Sequence, residues 1–311
     1  VPAKSNSPGN IAEQLVDSIN ASHGVHPGQR AAHAKGVLCA ATVHPSPDAK
    51  GLTHAEHLAG GPVRAHVRFS NGSGNPTVPD SARDGRGLAL KMYGPSGTTD
   101  VIGLSLPSFF TRTPEELLAF NEARRPDPAT GAPDGDKVGA FLADHPEAMP
   151  AVMAAMTHPI PASYSALAYN SIHAYGFDAG DGNVRFGRYR FVPEATDAPL
   201  TDEDAATRPA DYLRDELIAR FAAGPVRFGL DVILAAPADD PDDPTVPWPD
   251  DREVVRIAEL EITGIATDRE QGGDILVFDP TRVVEGITLS NDPILLARPG
   301  AYSVSVARRT A

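Results

Sequence analysis

Between Val63 and Ser70 the chain alternates strictly: Val63, Ala65, Val67 and Phe69 are apolar, while Arg64, His66, Arg68 and Ser70 are polar. A period of two sends successive side chains to opposite faces of an extended strand, so this strand has one face for a core and one for polar work. Residues 36–43, 88–93, 185–192, 226–235, 254–262 and 274–278 read as further strands, most of them separated by turn-rich segments. Many short strands with turns between them imply an antiparallel sandwich or barrel.

Helices enter as insertions in that frame. Ile11, Leu15, Val16 and Ile19 recur at helical spacing behind Asn10, a candidate N-cap. Thr113, Pro114 and Glu116 have the types expected at N-cap, N1 and N3 of a capping box, and 202–223 reads as one helix closed by Gly224. Segments 125–135 and 236–251 are rich in Pro and Asp but join stretches of like composition, and no internal repeat divides the chain. The expectation is one α+β domain over 1–311, with 1–24 as an N-terminal helical arm.

Charge excludes two partner classes. Lys and Arg total 27 against 41 Asp and Glu, a formal charge of -14, which repels phosphate backbones and anionic lipid surfaces. No apolar stretch approaches the roughly 20 residues that span a bilayer. A single cysteine, Cys39, lies in an apolar run, so no intrachain disulfide forms and a small buried hydrophobe is its expected role. The chain starts at Val1 rather than Met, which leaves a removed leader, and hence the compartment, open.

Four ordered segments concentrate the chemistry-bearing residues: Arg30 with His33, Lys35 and Gly36; Val67 to Ser70; Arg83 to Lys91; and Pro107 to Arg112. A fifth, Arg298-Pro299-Gly300-Ala301-Tyr302, is followed by Arg309, and Phe278-Asp279-Pro280, Gly286-Ile287 and Ser290 lie just upstream of it. In order and spacing these segments resemble the haem-dependent catalase family, whose signature includes Arg-x-x-x-Tyr. The likeness runs from about Arg30 to Arg309. Because the chain stops nine residues after Tyr302, it is most similar to a minimal, catalase-related peroxidase without the family's C-terminal wrapping and helical segments.

The resemblance implies a catalase-like antiparallel β-barrel with inserted helices enclosing a haem b, its ferric iron held by Tyr302 as an axial tyrosinate. Arg298, one helical turn before Tyr302, is the implied partner of the phenolate. His33 is the implied distal base, moving a proton between the two oxygens of a peroxide, and Ser70 the residue that orients it. Arg30, Arg68 and Arg309 match positions that hold the haem propionates, for which a guanidinium fork is suited. Phe109 matches a ring on the distal wall, and Ile102 and His173 match positions lining the haem pocket, His173 on the proximal side.

Three positions depart from the family. Leu104 stands where the family has an asparagine that helps to position peroxide for dismutation, and it can neither donate nor accept a hydrogen bond. Leu117 replaces a distal aromatic, and Ala32 a bulkier valine. The expected activity is therefore peroxidase turnover of hydrogen peroxide or a small organic hydroperoxide with an organic electron donor, and weak catalase activity. Two alternatives stay open: an enzyme of the same fold that rearranges or oxidises lipid-like hydroperoxides, and a non-enzymatic haem-binding barrel. A homodimer is the expected assembly. His54 and His57 as a metal pair, Asp239 to Asp243 as a calcium loop and Gly72 to Gly74 as a phosphate cradle are each set aside, in favour of an exposed helix, a solvated loop and a turn.

Overall fold

A computed structural model describes residues 8–267, 269 and 275–311. Helix α1 (Pro8–His23) precedes four strands, β1 (Gly36–Pro45), β2 (Val63–Asn71), β3 (Arg86–Tyr93) and β4 (Thr98–Leu104), with the short α2 (Glu56–Ala59) between β1 and β2. Helices α3 (Pro114–Ala123), α4 (Gly135–Asp144) and α5 (Met149–Met156) lead to β5 (Tyr169–Asn170), β6 (Tyr175–Asp178) and β7 (Val184–Pro193). Then come α6 (Asp202–Ala206), α7 (Tyr212–Ala223), β8 (Val226–Leu234), β9 (Val254–Ile265), β10 (Ile287–Leu289) and α8 (Pro293–Thr310).

All pairings between these strands are antiparallel. The order β7-β5-β4-β3-β2-β1-β9-β8 returns to β7 and closes a barrel, with β6 and β10 attached beside β7. Closure removes the exposed edges an open sheet would present.

The alternation of β2 sorts as the sequence requires. Val67 and Phe69 join one large core with Leu88, Leu90, Val101 and Phe228 inside the barrel, where Phe69 stacks on Tyr164 at 5.4 Å. Register puts the other face in rows across neighbouring strands: Gly36, Ser70, Gly87 and Leu104 in one, Leu38, Arg68, Ala89 and Ile102 in the next. The second row packs on Leu276 and Phe278 in a separate cluster. Cys39 is fully buried, and burial pushes its thiol up to about 12.

Several expectations change. The helix expected over 202–223 is two, α6 and α7, because Pro209 lies between them and cannot continue the hydrogen-bond ladder. α1 starts at Pro8, two residues before Asn10, so Asn10 lies within the helix. Of the strand expected at 274–278, residue 274 lies outside the described residues, and 275–278 run in no strand but as a strap over the barrel. His54 precedes α2 and bonds Asp178 O at 2.9 Å, whereas His57 is buried within α2, so the two rings do not form a metal pair. The Thr113 capping box forms in full, with both reciprocal bonds at 3.2 Å. No helix among the described residues is long and apolar enough to cross a membrane.

Candidate functional site

Between the outward rows of β2–β4 and the helices α1, α3 and α8 lies a cavity of about 270 Å³. Its walls are mostly apolar, with a few convergent polar groups, the usual make-up of a cofactor site. From the barrel side come His33, Ser70, Arg68 and Ile102, and Arg30 and Phe109 come from flanking segments. α8 contributes Arg298, Tyr302 and Arg309.

His33 is held by backbone and side chain together. Its φ of 55° is unusual for a residue other than glycine, and a conformation of that kind persists only where surroundings over-determine it. Here Gly72 O accepts the His33 N–H at 3.2 Å, and the Arg68 guanidinium donates to His33 O at 3.0 Å and Ala34 O at 3.1 Å. His33 Nδ1 lies 3.0 Å from Ser70 Oγ. A Cβ at Gly87 would stand 2.8 Å from that Oγ and 3.1 Å from the imidazole, so the pair needs glycine there. Burial, reinforced by Arg68, Arg298 and Arg30 and partly offset by Asp84, pulls the imidazole down to about 4. The ring is neutral at pH 7, and with Nδ1–H donated to Ser70 its Nε2 is an acceptor.

The turn at Gly72 to Gly74, expected only as a turn, supports this loop. Ser73 O accepts the Ala34 N–H at 3.1 Å, and a Cβ on Gly74 would lie 2.0 Å from Ala31 O.

α8 presents Ile294, Arg298, Ala301, Tyr302, Ser305 and Arg309 to the cavity at the spacing of one helix face. The Asp292 carboxylate caps it, accepting the Ile294 N–H at 2.8 Å. Its other oxygen lies 2.5 Å from His173 Nδ1, and His173 Nε2 lies 2.8 Å from the Arg298 guanidinium. Arg298 in turn stands 5.7 Å from the centroid of the Tyr302 ring. His173 is thus displaced from its expected place: it does not line the cavity but lies one layer behind, because Arg298 occupies the space between them. Burial keeps its imidazole below the ordinary range despite Asp292, which suits a neutral ring donating to Asp292 and accepting from Arg298.

The part that three elements play at the cavity escaped the sequence reading. Asp292 could have been found, since Asp before Pro is an N-cap signal. The strap at 276–282 was read in part as a strand, and its Phe278-Asp279-Pro280 shared in the resemblance, but no local signal shows that it walls the cavity. It is pinned from behind by a buried pair: Lys91 Nζ lies 2.5 Å and 2.6 Å from the Asp100 oxygens, Asp100 also accepts the Asp279 N–H at 2.7 Å, and Asp100 N–H donates to Arg282 O at 2.9 Å. Phe278 thereby faces the cavity, and Leu276 O receives Arg30 at 3.0 Å. The third is α1, whose Leu15, Val16 and Ile19 wall the cavity, anchored by Asn121 to Ser18 at 3.0 Å and Arg308 to Asp17 at 2.6 Å. Leu104 and Leu117 both line the cavity.

Comparison with known proteins agrees with the fold. The catalase family model matches residues 13–311. A catalase-related peroxidase of Mycolicibacterium paratuberculosis is 42% identical over 306 residues, covering 98% of this chain and 96% of the relative. One from Synechococcus elongatus is 33% identical over 300 residues, covering 96% and 88%. Among solved structures, catalase A from Saccharomyces cerevisiae superposes with a TM-score of 0.81 at 23% identity, covering 95% of this chain and 64% of that one. A bacterial catalase gives 0.80 at 24%, covering 99% and 62%. The chain thus spans less than two thirds of these solved catalases, and the likeness to them is one of fold.

Proposed function

Since the chain belongs to the catalase family, we propose that it is a haem b peroxidase that reduces hydrogen peroxide or a small organic hydroperoxide at the expense of an organic one-electron donor. Membership makes it an oxidoreductase acting on peroxide with a haem cofactor. The finer reading rests on one observation above all: a single cavity is walled by a neutral, Ser70-bonded His33 and by a tyrosine next to an arginine.

The donor set fits the group. Tyr302 offers a phenolate oxygen, the ligand type of a ferric haem held by tyrosine, and Arg30, Arg68 and Arg309 supply cations suited to two propionates. Apolar side chains from β3, β4, α1 and the strap suit the faces of a porphyrin. When bound, haem supplies the redox chemistry at iron.

The chain's own residues then divide the work. His33 Nε2 accepts the proton of the peroxide O–H, and the same nitrogen returns it to the departing oxygen as the O–O bond breaks. Ser70 holds the ring in orientation, and the Asp292, His173 and Arg298 chain fixes the guanidinium beside Tyr302. Leu104 offers no hydrogen bond to a second peroxide, so dismutation is slow and an organic molecule is the reductant. The same apolar wall, with Leu104, Phe109 and Leu117, favours alkyl hydroperoxides as a second class of oxidant. A pure carrier would have no use for the His33 and Ser70 pair.

The test is the absorption spectrum of the purified ferric protein and of Tyr302→Phe, followed by hydrogen peroxide with and without a phenolic donor. A spectrum that depends on Tyr302, fast donor oxidation and slow oxygen release are expected. Failure to take up haem refutes the reading, and haem without peroxide reactivity leaves the carrier.

A further inference from the structure

The Pro- and Asp-rich loop between β8 and β9 reads in sequence as solvated chain. Its centre, residues 242–246, instead makes bonds to both sides of the cavity. On the distal side, Pro244 O accepts the N–H of Phe109 at 2.8 Å, and Asp243 Oδ2 accepts Arg112 Nε at 2.8 Å. Towards α8, Asp242 Oδ1 accepts the N–H of Asn291 at 2.7 Å, the residue directly before Asp292. Between these ends the loop closes over Arg188, whose guanidinium donates to Asp243 O and Val246 O at 2.7 Å each and lies 4.4 Å from the centroid of the Trp248 ring.

The turn is itself locked. Asp243 Oδ1 accepts the Thr245 N–H at 2.8 Å and its hydroxyl at 2.6 Å, and Arg252 closes the base of the loop on Asp239 at 2.6 Å and 2.9 Å. Five residues fixed in this way are a rigid spacer, because Asp242, bonded to the α8 flank, is followed directly by Asp243 and Pro244, bonded to the other. Arg188 is close enough to His173 and Asp292 for its charge to act on both.

We propose that residues 242–246 are a brace that sets the distal wall at Phe109 and the Asp292, His173 and Arg298 chain against one another, with Asp242 and Asp243 as positioning residues. The inference rests on the reading of Tyr302 as the iron ligand. Removing the Asp242 carboxylate frees the Asn291 N–H, lets Asp292 shift, and loosens the bonds that run through His173 to Arg298. Removing the Asp243 carboxylate releases Arg112 and the Thr245 turn, and so moves Phe109.

The experiment uses the haem-loaded protein and two readouts: the ferric-to-ferrous ratio at a fixed potential, for the Tyr302 side, and the association rate of cyanide, for the distal side. Asp242→Ala is expected to change the first by about threefold, the scale of coupling carried by networks of this kind. Asp242→Asn, which still accepts the Asn291 N–H, stays near wild type. Asp243→Ala is expected to change cyanide association by about threefold. Asp250→Ala, an exposed carboxylate of the same loop, moves neither. If Asp242→Ala fails to fold, Asp243→Ala decides. A lowered unfolding midpoint with both readouts unchanged overturns the brace. A wild-type spectrum that is insensitive to Tyr302→Phe overturns the underlying ligand assignment instead.

Discussion

His57 offers a stringent test of how this barrel responds to acid. It is 1% exposed, and both ring nitrogens are buried without a hydrogen-bond partner among the described residues. Burial pulls its imidazole from the ordinary 6.5 to about 4, with Glu56 only partly offsetting it. The unfolded chain therefore takes up a proton at a pH where the folded one refuses it, so the stability contributed by the neutral ring is fully present above 6.5 and drains away as pH falls towards 4. At about 1.4 kcal/mol per tenfold change, the drop corresponds to about 3 kcal/mol, of which about 2.5 kcal/mol is gone by pH 4.5. His57→Leu removes the titration and also the two unsatisfied nitrogens, so stability at pH 7.5 stays level or rises. Urea unfolding followed by circular dichroism, at pH 7.5 and 4.5, gives the comparison. His33 has the same depressed imidazole, but it is present in both proteins and cancels. Equal losses in wild type and His57→Leu between the two pH values would show that His57 is protonated in the folded state and refute the reasoning.

Other perturbations separate chemistry from scaffold. Leu104→Asn restores a hydrogen-bonding group to the distal wall, and oxygen release measured with an electrode is expected to rise relative to donor oxidation. Gly87→Ala forces a Cβ against Ser70 Oγ and the His33 ring; a displacement of this kind costs up to about 100-fold, read by stopped-flow as slower peroxide reaction with haem retained. Lys91→Met leaves Asp100 buried without its closest cation and is expected to cost about 3–5 kcal/mol, seen as a lower urea midpoint. Peroxide turnover that falls as pH drops through about 4, where His33 takes up a proton, completes the set; a rate still flat at pH 3.5 would remove His33 from its role as base.

Most strands were legible because alternation is a local signal, and the candidate site residues because they lie in the ordered segments that carried the resemblance. The alternation from Val63 to Ser70 commits Phe69 inward and Arg68 and Ser70 outward whatever the rest of the chain does, and the box at Thr113 and Glu116 closes within one turn. The ordered segments around His33, Ser70 and Tyr302 carried the resemblance, and all three line one cavity. The misreadings have local causes too. Pro209 breaks a stretch that reads as one helix; β5, β6 and β10 span only two, four and three residues, too few to show a period, and β4 was missed because its apolar Val101 and Ile102 are adjacent and do not alternate.

What tertiary structure alone decided is where groups distant in sequence meet. His173 and Asp292 are 119 positions apart and touch at 2.5 Å, so no window of sequence shows that the histidine backs Arg298 instead of lining the cavity. The same holds for Asp100 beneath the strap, for Asp242 and Asn291, and for α1, which walls the cavity because it packs on α8 from the other end of the chain. Sequence by itself determined which faces are apolar and which side chains can carry a proton or a metal. Their burial, and with it the neutrality of His33 and His57, came only from the closed barrel, because desolvation is set by everything packed around a group and not by its neighbours along the chain.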